Sequence, residues 1–405
     1  MELKKYKIVN GHIITPYRII RNGTLITEGS RILAVSDRDL EMPDATVMDA
    51  RGQYVSAGFV DLHVHGGGGH DFMDGTVEAF LRVAEKHREF GTTSLVPTTL
   101  SSDKASLLKA IDVYEAAHKL NTVGARFAGL HLEGPYVAMN QRGAQDPKYI
   151  RNPDAAEYME VLASSNVVTR WSAAPELPGA LPFGRYLRSK GILAAAAHTD
   201  AVYEEMLEAY ENGYTHITHM YSAMSGVTRR NAFRYAGAIE AAYLIDEMTV
   251  EIIADGVHLP APLLKLVYKI KGPGKTALIT DAMRAAGMGP GESILGGLDN
   301  GIRVIVEDGV AKLPDRSSFA GSVATTDQLV RTMVNLAEVP LVEAVRMATA
   351  TPATIAGIAD RTGSLVEGKD ADIIFFDEQI RVSSVFIEGV LAGVHAETLS
   401  TAKNK

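Results

Sequence analysis

The chain has 405 residues, 46% hydrophobic and 22% charged, a composition that suits a globular protein with a large core. Its net charge of -9 argues against a nucleic-acid surface, which would be basic. The absence of cysteine excludes disulfides and thiolate metal ligands, so any metal must be held by histidine and carboxylate.

Residues 1–55 read as short strands separated by turns, with β texture over 7–14 and 23–35 and turn steps at Asn10-Gly11 and Glu28-Gly29. The opening residues lead into strand, not into a long apolar leader, and no apolar run is long enough to span a membrane. A cytoplasmic protein with no membrane or nucleic-acid partner is expected. From 56 to 358 short apolar strands alternate with amphipathic helices. The strands are expected at 59–63, 93–97, 127–133, 170–174, 193–198, 216–219, 250–254 and 276–280, and helices at 76–89, 101–120 and 204–211 among others. Eight such units predict an α/β fold of the TIM-like (β/α)8 barrel type. The alternative, an open doubly wound sheet, lacks a Gly-x-Gly-x-x-Gly after its first strand. The tail returns to strand texture over 362–377, 382–387 and 389–392. A small β-sandwich domain built from both termini, 1–55 plus 359–405, is therefore expected beside the catalytic barrel at 56–358.

The first barrel strand ends in His63-Val64-His65, followed by Gly66-Gly67-Gly68-Gly69. Residues i and i+2 of a strand share a face, so two imidazoles project together where the glycine run stops the strand. Other strand ends carry His131-Leu132-Glu133, His198, His216 with His219, and Asp281. Singly, each has an ordinary alternative: a core ion pair for Glu133, a capping histidine for His198, a structural role for His216, a helix N-cap for Asp281. In a barrel these ends converge on one mouth, and together they predict a metal site.

Gly58-Phe59-Val60-Asp61-Leu62-His63-Val64-His65-Gly66 resembles the first-strand signature of the amidohydrolase superfamily. Gly363-Ser364-Leu365 with Gly368-Lys369-Asp370-Ala371-Asp372 resembles its C-terminal return strand. Four further stretches, 131–136, 218–224, 254–258 and 279–282, are similar to those of the N-acetylglucosamine-6-phosphate deacetylase family within it. The resemblance runs nearly end to end. It implies one or two divalent metals per subunit (Zn, Fe, Mn or Co), with Glu133, His198 and His219 at the main site, Glu133 able to bridge, and His63 and His65 at a second. It implies Asp281 as the catalytic carboxylate, taking a proton from water and returning it to the leaving amine. It further implies substrate contacts at Ala144, Gln145, His258, Phe319, Ala320 and Gly321, and at the backbone amides of Ser222 and Ala223.

The implied substrate is a small amino-sugar phosphate, N-acetylglucosamine 6-phosphate, hydrolysed to glucosamine 6-phosphate and acetate in amino-sugar catabolism. Arg229, Arg230 and Arg234 offer guanidinium groups for the phosphate. Counting from His219 aligns Arg230 with the family's phosphate arginine, while counting back from Gly237 gives Asn231, and Arg234 competes. Two positions depart from the family pattern: Ser222 stands where many members have asparagine, and Gln145 where many have histidine. The second departure makes N-acetylgalactosamine 6-phosphate the alternative substrate. A dihydropyrimidinase- or aminoacylase-like amidohydrolase would more often carry a metal-bridging lysine at a strand end, and none stands there. A non-catalytic binding protein would not need every metal position and Asp281. The resemblance also implies a homodimer that lends residues across its interface.

Overall fold

The structure, a computed structural model, describes residues 3–394. The expected C-terminal boundary at 405 lies outside those residues, as does the side chain of Arg230. Eight parallel strands form the barrel: Phe59–Val64, Thr92–Thr99, Leu130–Glu133, Val168–Ala173, Leu193–Ala196, Tyr214–Ile217, Thr249–Ile253 and Thr276–Ile279. They read as near-continuous apolar runs because helices cover them outside and side chains fill them inside. Strand four shows the division. Trp171 points outward and stacks on Tyr136 at 5.6 Å, while Arg170 beside it reaches Glu251 of strand seven. Strands four and seven are not neighbours, so that ion pair crosses the barrel interior.

The last strand meets the first through side chains and backbone together. Asp61 accepts the Thr280 hydroxyl at 2.6 Å and its N–H at 3.2 Å, and the Asp281 N–H is donated to the His63 carbonyl at 2.9 Å. Helices between strands begin where the sequence supplies a cap. Thr76 caps Val77–Glu89 and Asp103 caps Lys104–Leu120, each through its side-chain oxygen.

The remaining strands at both ends of the chain form one mostly antiparallel eight-stranded sheet, in which Tyr54–Ala57 lies between Lys5–Ile14 and Ile373–Phe376. Tyr6 meets Phe386 edge to face at 5.3 Å although two strands separate theirs, so the sheet folds over its own core. Arg126 fastens this sheet to the barrel, reaching Asp370 (2.8 Å), Glu388 (2.6 Å) and Asp372.

Two features were not expected from the sequence. A four-stranded antiparallel sheet (Gly291–Leu295, Ile302–Glu307, Val310–Lys312, Phe319–Ser322) follows the eighth barrel strand. A hairpin, Thr228–Arg230 paired with Phe233–Tyr235, follows the sixth. Its two turn residues, Asn231 (φ 50) and Ala232 (φ 70), are both left-handed, the conformation of a tight type I′ connection.

Candidate active site

His198, His219 and Asp281 each lie two residues beyond a strand end, the first two past the strands on which sequence alone set them. Each is left-handed, with φ of 46, 29 and 48. Non-glycine residues adopt this region at a cost, and such outliers cluster where the backbone must aim a side chain. Gly321, from the added sheet, closes on the same spot. A Cβ there would stand 3.0 Å from the Asp281 carbonyl, and its φ of 67 also favours glycine.

The expected ligands converge. Glu133 Oε1 lies 2.9 Å from His219 Nε2, 3.2 Å from His198 Nε2 and 3.6 Å from His63 Nε2. Its Oε2 lies 3.3 Å from His65 Nε2 and 2.8 Å from Gln145 Nε2. Asp281 Oδ1 faces His65 Nε2 at 3.1 Å and His63 Nε2 at 3.4 Å. Glu133 thus serves two histidine pairs at once, and each trio has its ligand atoms within 4.8 Å of one another. The fit to divalent cations is good. Every donor is imidazole nitrogen or carboxylate oxygen. The Nε2 atoms of His63 and His65 also face each other at 3.2 Å, which a cation ligated by both would satisfy.

Behind the ligands lies a polar floor, of which the sequence singled out His131 and His216 but not Glu251 or Arg170. Glu251 accepts from His63 Nδ1 at 3.0 Å, from both terminal nitrogens of Arg170 at 2.6 and 2.8 Å, from His216 Nε2 at 3.2 Å and from the His219 N–H at 3.2 Å. His216 is therefore a supporting residue. His131, from the third strand end, donates or accepts at Ser172 Oγ (2.6 Å) under the His63 ring. His65 and His198 turn their Nδ1 atoms to the carbonyls of Thr98 and Gln141. A detectable signal existed: Arg170 and Glu251 are charged residues inside apolar strands, which burial tolerates only when they are paired.

The electrostatics follow from this crowding. Burial would lower His63, but the carboxylates of Glu133 and Asp281 outweigh it and raise it to about 9. Burial would raise Glu133, yet His63, His198 and His219 hold it well below the ordinary range. Asp281 is held down likewise, by His63 and His65 against burial. His131 falls well below its usual value through burial and the nearby charges of Arg170 and His63, and stays neutral. Burial raises Asp61 to about 7 despite its bonds from Thr280.

The centre opens into a cavity of about 520 Å³. Ala144, Gln145, Ser222, Ala223, His258, Phe319 and Gly321 line it with the ligands, whereas Ala320 is buried behind the wall. His258 is oriented by Asp255, which accepts from Nδ1 at 2.6 Å, and its ring meets Phe319 at 4.6 Å. The Ser222 N–H is donated to the His219 carbonyl at 2.9 Å, which uses it within the turn. Arg234 is exposed on the hairpin and apart from the lining. The cations that do line the cavity, Lys312 and Arg316, were not anticipated, and both pair with Glu307.

Residues 54–392 match the amidohydrolase family. The chain is 30% identical to the N-acetylglucosamine-6-phosphate deacetylase of Bacillus subtilis (strain 168), over 95% of this chain and 96% of that one. It is also 30% identical to the N-acetylgalactosamine-6-phosphate deacetylase of Escherichia coli O157:H7, over 94% and 99%. A solved mutant of N-acetyl-D-glucosamine-6-phosphate deacetylase from Mycobacterium smegmatis, in complex with N-acetyl-D-glucosamine 6-phosphate, superposes with a TM-score of 0.88 at 30% identity, covering 97% of this chain and all of that one.

Proposed function

The chain belongs to the amidohydrolase family, and from that premise we propose that it hydrolyses the acetamide of N-acetylglucosamine 6-phosphate to glucosamine 6-phosphate and acetate. The observation that carries this reading is Glu133, shared between the His198–His219 and His63–His65 pairs, with Asp281 facing the second pair. Those residues would hold one or two divalent cations, whose Lewis acidity polarises a carbonyl and acidifies water.

The chain's own groups do the rest. Asp281, ionised, takes the proton of the attacking water and passes it to the amine nitrogen as the C–N bond breaks. His258, its Nδ1 engaged by Asp255, lines the cavity and is held there as a hydrogen-bonding partner for the sugar. Gln145, Ala144, Ala223, Phe319 and Gly321 shape the sugar site. We take the barrel, from Phe59 to about 358, as the catalytic unit, and the described residues of the terminal sheet on either side of it as the accessory domain. Among the described residues no helix is long and apolar enough to cross a membrane. A cytoplasmic site suits a phosphorylated substrate, which is charged and stays where it is made.

The phosphate needs a cation, and Lys312 and Arg316 are already paired. The hairpin carrying Arg229, Arg230 and Arg234 also exposes Phe233 at 73% and Tyr235 at 37%. Exposed aromatics beside arginines have the composition of an interface core. We assign this hairpin to a homodimer interface, where one subunit's arginines approach its partner's cavity.

The deciding experiment measures acetate release by the purified protein from the gluco and galacto 6-phosphates, with elemental analysis of the same sample. No acetate from either would end the deacetylase reading. A galacto preference would point to Gln145 as the residue that changed the hydroxyl choice.

A further inference from the structure

We propose that Glu251 is a positioning residue of the cation centre: it fixes His63 as the Nδ1–H tautomer and ties the two histidine pairs together through the barrel floor. The inference rests on the cation centre proposed above. Glu251 is fully buried with the permanently charged Arg170 guanidinium across both of its oxygens at 2.6 and 2.8 Å, the geometry of a carboxylate paired to arginine. An ionised carboxylate only accepts, so the contact of 3.0 Å requires the proton on His63 Nδ1. Nε2 is then the ring atom left to face Glu133, Asp281 and His65, and the one that would meet a cation. The same oxygen, Oε1, accepts the His219 N–H at 3.2 Å. One carboxylate thus touches the ring of one pair and the backbone of the other.

Its partners make the tether rigid. Arg170 grips both oxygens, with bonds of 2.6 and 2.8 Å, and extends to Thr218 Oγ1 at 2.7 Å. His65 and His198 rest on neutral carbonyls, at 3.2 and 2.7 Å, so the His63 ring is distinguished by a charged support. A carboxylate behind an imidazole fixes its orientation and raises its basicity as a ligand. The left-handed backbone at His219 needs an external hold, and Glu251 supplies one.

The test uses Glu251→Gln, Glu251→Asp and the double variant Arg170→Gln/Glu251→Gln. The first leaves Arg170 unpaired, the second keeps the ion pair but withdraws from His63, and the third buries no charge. Metal-free protein is titrated with Co2+ by calorimetry, and the Zn2+-loaded protein is examined by 15N-histidine NMR. The expected result is a loss of Co2+ affinity of about ten- to a hundredfold in each folded variant. A hydrogen-bonded Nδ1 proton assigned to His63 should be present in the wild type and lost in the variants. Folded aspartate and double variants that bind Co2+ within twofold of wild type, with the His63 signal unchanged, would overturn the role. A wild type that takes up no Co2+ would instead overturn the cation centre itself.

Discussion

Gln145 donates an N–H to Glu133 Oε2 at 2.8 Å, while its own Oε1 accepts the Ser101 N–H at 2.8 Å. The residue expected to touch only sugar is therefore also a clamp on the carboxylate that both histidine pairs share. Gln145→Ala removes one donor to a buried charge, a bond worth about 1.5–3 kcal/mol. Cation affinity should fall by about ten- to a hundredfold and KM should rise with it. A variant whose Co2+ titration matches wild type while KM alone rises would reduce Gln145 to a sugar contact.

Asp281 tests the chemistry separately from the cation. Its carboxylate faces His63 and His65, and its backbone N–H closes the barrel against the His63 carbonyl, so Asp281→Asn keeps size and main-chain bonds. Turnover should drop by about 10²–10⁴, the usual contribution of a positioned acid–base group. Elemental analysis should show the cation retained. Substantial turnover in the asparagine variant would remove Asp281 from the proton path.

The barrel and the ligand set were legible because both follow from short-range pattern. His63 and His65 share a strand face by spacing alone, and Glu133, His198, His219 and Asp281 each end an apolar run. What was not legible depends on partners far apart in the chain. Arg170 and Glu251 are 81 residues apart and meet only when strands four and seven face each other across the interior. The sheet over 291–322 hides behind glycine-rich, turn-rich sequence that gives no strand more than six residues. The left-handed turns at His198 and His219 moved the ligands past the strand ends, because positive φ is uncommon for any non-glycine residue, histidine included, and the apolar runs before them carry no mark of where the strand stops.

The metal-free protein should release protons when it takes up a cation. His63 rises from 6.5 to about 9 through Glu133 and Asp281, once they have outweighed burial. A raised histidine contributes stability that is fully present below its unfolded value and is lost as pH climbs through its folded one. Between 6.5 and about 9 that proton occupies the cation's place. Apparent Co2+ affinity should therefore rise with pH across this window and flatten above it. Chelation should lower Tm, and cation at about a thousand times Kd should restore about 4 kcal/mol. Affinity independent of pH from 6 to 9 would contradict the coupling.

Arg126 governs the attachment of the terminal sheet. It is bonded to Asp370, Asp372 and Glu388, and Asp370 keeps Arg31 (2.7 Å) and Arg361 (3.1 Å) if Arg126 is lost. Asp372 keeps only uncharged contacts, with Thr362 and the Glu388 N–H. Arg126→Met should cost about 3 kcal/mol, the lower end for stripping a partner from a buried charge. Limited proteolysis should then cut first near the junction, in the segments flanking 55 and 370. Unchanged denaturant midpoints would show that the aromatic contact of Tyr6 with Phe386 and its neighbours carry the domain without this ion cluster.

The hairpin separates a monomeric site from a shared one. Phe233 follows the Asn231-Ala232 turn, is 73% exposed and has Arg234 beside it. With Tyr235 and the arginines it makes an exposed aromatic and basic patch, the composition of an interface. Phe233→Asp replaces the ring that the partner would cover with a charge, which is costly to bury. Light scattering should show a dimer for the wild type and a monomer for the variant. KM for the sugar phosphate should rise while the rate on an N-acetylhexosamine lacking the phosphate stays level, because only the phosphate needs the partner's arginines. A variant that turns monomeric with KM unchanged would return the phosphate to Lys312 and Arg316 within one subunit.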